Sequence, residues 1–246
     1  MVVPRRPEVA RGGVGVANAA RLSVLVFLIG FAISANGAAA DHAERAWRVA
    51  SVSVVSVEPT WPGYTRPGFG APPGTAPEGS GVVVREPGLI VTAAHVVSKA
   101  TAVHVRDMDG NRHDAEVVAV DLEADLALLR IEAALAPIEV APERPATGAH
   151  VCIIANAFGL DLSITCGIVS ARSRSGIGFN RIEDFIQTDA AANPGASGGA
   201  LVDREGRLVG MVSAIFTKES DANAGVNFAV SAMLLERRID LMLGDE

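Results

Sequence analysis

Residues 187–201 read QTDAAANPGASGGAL and place a single serine, Ser197, among three glycines. Glycines let the backbone turn sharply and approach a ligand closely, as a loop that presents amide N–H groups to an anion must do. A serine hydroxyl is a poor nucleophile unless a neighbouring base takes its proton. The stretch therefore predicts a catalytic serine only if a base, and a group to orient that base, lie elsewhere in the chain.

Two upstream segments supply such groups. Residues 92–97, TAAHVV, carry His95, and residues 121–129, DLEADLALL, carry Asp125 together with the competing Asp121. The ordinary pKa of an imidazole lies near neutrality, which suits a general base that later acts as an acid. The DLALL context favours Asp125 as the orienting carboxylate over Asp121. The resulting order of His, Asp and Ser is one in which serine-protease triads occur.

Together these segments resemble the trypsin-like protease domain of the HtrA (DegP/DegQ/DegS) family, over about residues 52–230. The resemblance implies that Ser197 attacks a peptide carbonyl, that His95 is the base, and that Asp125 orients the imidazole. It also implies an oxyanion hole formed by the backbone N–H groups of Gly195 and Ser197. The resemblance implies no metal and no other cofactor.

Several positions depart from the family pattern. Ala196 stands where the family usually has Asn, Ala200 where it usually has Pro, and residues 155–159 read ANAFG in place of GNPFG. No reacting group is lost, but looser loops around the oxyanion hole predict low turnover or a need for an activator. The resemblance places Ala191 at the floor of the primary specificity pocket, which predicts a small or medium aliphatic side chain before the cleaved bond.

The predicted fold is all-β, with two six-stranded antiparallel β-barrels of the chymotrypsin type and a C-terminal helix. Short apolar segments separated by turn signals place the barrels at about residues 51–136 and 149–230, and a capped apolar run places the helix at about residues 231–243. With 49% hydrophobic but only 4% aromatic residues, the cores must consist mainly of Val, Ile, Leu and Ala. We expect residues 41–246 to be a protease domain without a PDZ domain.

Three stretches are predicted to be loops. Proline and glycine crowd residues 58–79, which excludes a strand ladder or a helix. Residues 172–181 are rich in Ser, Gly and Arg and are predicted to be a mobile loop, and residues 216–225 form a second polar loop.

Residues 1–40 have the pattern of a secretory signal peptide. Four arginines precede the apolar run of residues 22–33, and small residues ending at Ala40 provide a cleavage site. The run is too short to cross about 30 Å of hydrocarbon comfortably. We therefore expect cleavage after Ala40 and a periplasmic or secreted protein, the alternative being an inner-membrane anchor formed by residues 22–33.

The two cysteines, Cys152 and Cys166, flank a predicted hairpin and lie symmetrically about Gly159. This symmetry favours a disulfide across the two strands, as an oxidising compartment permits. The alternative is a pair of buried free thiols that pack as small hydrophobic side chains.

The net charge and the family resemblance indicate which classes of macromolecule the protein binds. A net charge of −7 gives no electrostatic reason to expect nucleic-acid binding. The resemblance implies unfolded or damaged exported polypeptides as substrates and a homo-trimer as the assembly. A non-cleaving, chaperone-like binding module on the same fold is the alternative function.

Overall fold

The computed structural model describes residues 42–62, 78–85, 87–215 and 224–244. The predicted signal peptide at residues 1–40 and most of the predicted loop at residues 58–79 lie outside the described residues. So does most of the loop predicted at residues 216–225.

The N-terminal half forms a closed barrel of six antiparallel strands in the order β1-β2-β3-β6-β5-β4. The strands are β1 (Val54–Thr60), β2 (Gly79–Arg85), β3 (Leu89–Ala93), β4 (Ala102–Arg106), β5 (Arg112–Asp121) and β6 (Leu126–Arg130). All five residues of β3 are buried, and its apolar side chains belong to the hydrophobic core.

The C-terminal half forms a second closed barrel in the order β10-β11-β12-β9-β8-β7. Its strands are β7 (His150–Ala155), β8 (Ser163–Arg174), β9 (Phe185–Thr188), β10 (Ala200–Val202), β11 (Leu208–Ile215) and β12 (Asn227–Ser231). Closure leaves neither barrel with an open sheet edge. The prediction of two six-stranded antiparallel barrels is therefore confirmed.

Two strands run further than expected. Strand β1 continues through Pro59 to Thr60, although residues 58–79 were predicted to be a loop. Among the described residues, the part of this strand beyond Val57 pairs only with β4, so proline, which lacks an N–H group, fits a stretch that has one pairing partner there. Strand β8 extends to Arg174 and includes the start of the loop predicted at residues 172–181.

The described part of the chain also contains three α-helices: α1 (residues 42–50), the single turn α2 (Ala94–Val97) and α3 (Ala232–Leu243). Ser231 caps α3 as predicted, because its side chain accepts a hydrogen bond from the N–H of Leu234. No helix among the described residues is long and apolar enough to cross a membrane.

Helix α3 is tied to the first barrel by ion pairs. Arg238 Nε lies 2.5 Å from Asp121 Oδ2, and Arg85 pairs with Asp240. The carboxyl group of Asp121 also accepts hydrogen bonds from the N–H groups of Glu123 and Ala124. Asp121 is thus a structural residue that joins the end of β5 to the C-terminal helix.

Candidate active site

His95 and Asp125 meet because β3 and β6 are neighbours. The register pairs Ala93 with Leu126, so the residues just beyond β3 and just before β6 lie side by side. His95 lies in the one-turn helix α2, which follows β3 directly. The N–H of Ala94, in that same turn, donates to the carbonyl of Asp125 over 3.1 Å.

The imidazole of His95 is held through one nitrogen. Its Nδ1 lies 2.8 Å from Asp125 Oδ2, while the backbone N–H of His95 donates to Asp125 Oδ1 over 2.9 Å. Ser213 on β11 donates its hydroxyl to Asp125 Oδ2 over 3.1 Å. A carboxylate at Nδ1 favours the tautomer whose proton is on Nδ1, which leaves Nε2 free to accept a proton.

Asp125 adopts a left-handed backbone conformation, with φ of 57°. Such a conformation is uncommon outside glycine, although aspartate tolerates it better than most residues. Its side chain is mostly buried, whereas the side chain of His95 is 52% exposed. The strained turn thus directs the carboxylate toward an imidazole that faces open space.

Ser197 opens onto the same space as this pair. A cavity of about 500 Å³ is lined by His95, Leu122, Asp125, Phe179, Asn180, Ser197 and Ser213. The structure therefore brings the three residues of the predicted triad to one cavity. Among the described residues, no hydrogen bond joins Ser197 Oγ to His95, and such contacts are often long until substrate binds.

In the serine loop, defined here as residues 194–199, two N–H groups have no acceptor within the described part of the chain: those of Gly195 and Ser197. The N–H groups that alternate with them are occupied, because Ala196 donates to the carbonyl of Asn193 over 2.8 Å and Gly198 donates to the carbonyl of Val212 over 2.7 Å. The loop thus leaves free the same two donors that sequence reasoning assigned to an oxyanion hole.

Neighbouring contacts orient these two donors. The carbonyl of Pro194 accepts from the N–H of Phe158 over 2.6 Å, and the carbonyl of Ala196 accepts from the N–H of Gly199 over 2.9 Å. In a planar trans peptide the N–H points away from the carbonyl of the same unit. Anchoring these two carbonyls therefore turns the N–H groups of Gly195 and Ser197 to the opposite side.

The loop between β8 and β9 forms one wall of the cavity and is built around a carboxylate. Glu183 accepts hydrogen bonds from the N–H groups of residues 177, 178, 179 and 180 over 2.7–3.1 Å. Desolvation raises the pKa of Glu183, but these four donors outweigh it and hold the pKa below its usual range. The part of the loop that was predicted to be mobile is therefore organised around a single side chain.

This loop also contacts the segment that carries Asp125. Asn180 Nδ2 donates to the carbonyl of Ala124 over 3.2 Å, and the N–H of Ile182 donates to the carbonyl of Glu123 over 2.8 Å. The ring of Phe179 packs on Phe228, with a centroid distance of 5.5 Å, and on Phe185. Sequence reasoning missed the two hydrogen bonds because each joins residues more than fifty positions apart.

Ala191 lies on the same loop as Ser197 and is half-buried. Its carbonyl accepts the hydroxyl of Thr165 over 2.6 Å. The carboxylate of Asp189 accepts the N–H of Ile168 over 2.7 Å. Residues 216–223, in the second predicted polar loop, are outside the described residues.

The structure joins Cys152 and Cys166 in a disulfide between facing positions of β7 and β8. These sulfurs and His150 form the one group of potential metal ligands found within the described ranges. Because the sulfurs are bonded to each other, they are not available as thiolate ligands.

The other histidines lie away from the cavity. His104 pairs with Asp114 at 3.3 Å and His113 with Asp107 at 2.9 Å. The rings of His42 and His150 lie 6.4 Å apart. None of the four lines the cavity that holds His95.

Comparison with known proteins agrees with this geometry. Residues 79–211 match the model of the trypsin-like peptidase domain. The chain is 37% identical over 172 residues to a probable periplasmic serine endoprotease, DegP-like, from Chlamydia trachomatis, covering 69% of this chain and 34% of that protein. It is 40% identical over 169 residues to the periplasmic serine endoprotease DegP of Escherichia coli, covering 67% of this chain and 35% of the relative.

Solved structures give the same result. The HtrA-type protease AlgW with tripeptide superposes with a TM-score of 0.73 at 34% identity, covering 82% of this chain and 64% of that one. A serine endoprotease from Yersinia pestis superposes with a TM-score of 0.66 at 31% identity, covering 82% and 66%. The chain spans about a third of the length of the curated relatives it matches. By its matching domain and its fold, the chain belongs to the trypsin-like peptidase family and is similar to the DegP and HtrA-type members.

Proposed function

We propose that this chain is a serine endopeptidase that hydrolyses peptide bonds. The observation that carries the proposal is the His95–Asp125 pair beside Ser197 in one cavity, together with two backbone N–H groups of the serine loop that have no acceptor among the described residues. A nucleophile, a base, an orienting group and donors for an anion are the parts that acyl transfer requires.

In the proposed mechanism, His95 Nε2 takes the proton of Ser197 Oγ while that oxygen attacks the carbonyl carbon of the substrate. The substrate oxygen becomes negative and accepts hydrogen bonds from the N–H groups of Gly195 and Ser197. Asp125 stabilises the imidazolium and keeps its orientation. His95 then protonates the leaving amine, and a water molecule repeats the sequence to release Ser197 from its ester.

We propose unfolded or damaged exported polypeptides as the substrates and the periplasm as the location. Curated relatives of the chain are named periplasmic serine endoproteases, which supports the location. Leu122 is 74% exposed and Phe179 is 42% exposed at the cavity rim. Exposed apolar side chains beside the nucleophile suit extended chains that present apolar residues, as unfolded proteins do.

For the residue before the cleaved bond, we propose a small or medium aliphatic side chain. The support is Ala191, since its methyl group offers no charge to a lysine or arginine. Cleavage of a peptide library mainly after Lys or Arg would contradict this assignment. The homo-trimer stays a prediction, which light scattering of the purified protein tests.

The enzyme proposal is tested by labelling with a fluorophosphonate-rhodamine probe and by degradation of fluorescein-casein. We expect both signals from the native chain and neither from Ser197→Ala. Ser173→Ala, which alters a serine on β8 away from the cavity, is the matched control and should behave as the native chain does. Absence of labelling in the native chain would refute the enzyme and favour the binding module.

The apolar rim is tested separately by Leu122→Ser. Burying a leucine side chain against substrate contributes about 1.5–3 kcal/mol, so partial contact predicts a rise in KM for apolar peptides of about tenfold. Leu160→Ser is the matched control, because Leu160 is 65% exposed and does not line the cavity. An equal KM for the two variants would show that Leu122 does not contact substrate.

A further inference from the structure

We propose that Ser80, a residue of the first barrel, is a positioning residue for the oxyanion hole of the second barrel. The inference deepens the proposed function and rests on it. It assigns to Ser80 the task of fixing the peptide units around Gly195, one of the two proposed oxyanion donors. Ser80 itself touches neither the substrate nor the reacting atoms.

Ser80 is completely buried on β2, where it pairs with Ser56 of β1. Glycines flank it on both sides, and a Cβ on Gly79 would come within 2.6 Å of Val96. The absence of side chains at its neighbours lets this part of β2 approach the serine loop closely. Close approach of two backbones is what the hydrogen bonds of Ser80 require.

All polar atoms of Ser80 are used at the junction of the two barrels. Its N–H donates to the carbonyl of Ser197 over 2.8 Å, and its hydroxyl donates to the carbonyl of Gly195 over 2.8 Å. The same hydroxyl accepts the N–H of Asn156 over 2.9 Å. Its carbonyl accepts the hydroxyl of Thr92, three positions before His95, over 2.7 Å.

The bond to Gly195 matters because glycine has no side chain to restrict its rotation. Gly195 has φ of 93°, and its two peptide units are anchored by one carbonyl contact each: Pro194 to Phe158, and Gly195 to Ser80. A free hydroxyl has a single proton to donate, and Ser80 gives it to Gly195. Removing that donor leaves the partly buried carbonyl of Gly195 without its hydroxyl partner, although the N–H of Ala196 in the same peptide unit still donates to the carbonyl of Asn193. The Gly195–Ala196 unit can then pivot at Gly195 and shift the adjoining Pro194–Gly195 unit, which carries the N–H donor of Gly195.

A purely structural role predicts a different result. Ser56 is also a buried serine, is paired with Ser80 across the same two strands, and belongs to the same barrel. If Ser80 only filled space in the barrel, replacing either serine by alanine would change stability and leave chemistry intact. If Ser80 positions the oxyanion donors, only its replacement slows the chemical step.

The experiment measures the rate of labelling by the fluorophosphonate-rhodamine probe as a function of probe concentration. This separates the maximal rate constant for phosphonylation from the half-saturating concentration. For Ser80→Ala we expect the maximal rate constant to fall tenfold to a hundredfold, as expected for donors displaced by about 1 Å, with a half-saturating concentration within about twofold. The rate of fluorescein-casein degradation at saturation should fall by a similar factor.

Controls make the result specific. Ser56→Ala should keep the native rate constant. The pH dependence of the labelling rate, which reports on His95, should be the same in Ser80→Ala and in the native chain, since the substitution does not change the His95–Asp125 pair. Ser80→Cys keeps an unbranched side chain of the same length in atoms but replaces the hydroxyl by a weak donor, so it should also be slow, and it replaces Ser80→Ala should that variant not fold.

Three outcomes overturn the inference. The first is a folded Ser80 variant with a rate constant within threefold of native, and the second is an equal loss in Ser56→Ala. The third is failure of both Ser80 variants to fold, which would make the residue structural. If the native chain itself neither reacts with the probe nor degrades casein, the enzyme proposal fails and takes this inference with it.

Discussion

Replacing Asp125 by asparagine tests the core of the proposed mechanism with almost no change in shape. The two carboxylate oxygens have different duties: Oδ1 accepts the backbone N–H of His95, and Oδ2 faces the imidazole Nδ1 and the hydroxyl of Ser213. In Asp125→Asn the amide oxygen must remain opposite the backbone N–H, since an amide nitrogen there would meet another donor. The amide NH2 group therefore takes the position of Oδ2.

That exchange reverses the tautomer of the base. An NH2 group facing Nδ1 requires Nδ1 to be an acceptor, so the neutral ring carries its proton on Nε2 and cannot take one from Ser197. Loss of the correct tautomer lowers kcat by about 10⁴-fold in triads of this kind. This factor corresponds to about 5.4 kcal/mol of transition-state stabilisation. Binding of substrate does not involve Asp125, so KM should change little.

The assay is steady-state degradation of an internally quenched aliphatic peptide, with melting temperature measured in parallel. The matched control is Asp121→Asn, which alters the other aspartate of the same segment. That carboxylate pairs with Arg238, and losing its charge should cost about 1.5–3 kcal/mol of stability while leaving kcat nearly unchanged. An Asp125→Asn variant whose kcat stays within tenfold of native would refute the assignment of Asp125 as the orienting residue.

Two further predictions concern stability. Desolvation raises the pKa of Asp184, but its hydrogen bonds to Arg144 and Ser231 outweigh this effect and hold the pKa below its usual range. The ionised carboxylate therefore stabilises the folded protein above about pH 4, the ordinary pKa of an aspartate, and this stabilisation is lost as the pH falls through the pKa of Asp184 in the folded state. Asp184→Asn should therefore be less stable at neutral pH and lose less stability on acidification, as urea titrations at several pH values would show; an unchanged pH slope would contradict this. Gly198→Ala should destabilise more than Gly178→Ala in thermal melts, since φ is near 90° at both positions but only the former Cβ meets a carbonyl, at 1.9 Å. Equal losses would mean that backbone strain alone decides the cost.

The arrangement of strands could be predicted because it depends on local pattern. Short apolar segments separated by turn signals predict two six-stranded antiparallel barrels, and the structure contains both. Strand β1 shows the limit of this approach, since Pro59 indicates a loop until the pairing partners of its strand are known. Whether one side of a strand lacks a pairing partner depends on the folded sheet. No local feature of the sequence reveals it.

The candidate site also contains some residues that the sequence could predict and others that it could not. His95, Asp125 and Ser197 stand in segments whose flanking residues and order predict a triad, and the structure brings all three to one cavity. Ser80 and Ser213 could not be found by the same reasoning, because each contacts a residue about ninety or more positions away. The available signal was weak: each is a single hydroxyl within a mostly apolar strand.

The positions of these two serines explain why the active centre needs both barrels. Asp125 belongs to the first barrel, and its side-chain contact from the second is the hydroxyl of Ser213. Gly195 belongs to the second barrel, and its carbonyl receives the hydroxyl of Ser80 from the first. The carboxylate that orients the base and the loop that receives the negative charge are thus each held by a donor from the opposite barrel. Because a hydrogen bond weakens steeply with distance and angle, relative movement of the barrels disturbs both halves of the proposed machinery together. Activity in this arrangement depends on the fit between the barrels, and it can be lost while each barrel remains folded.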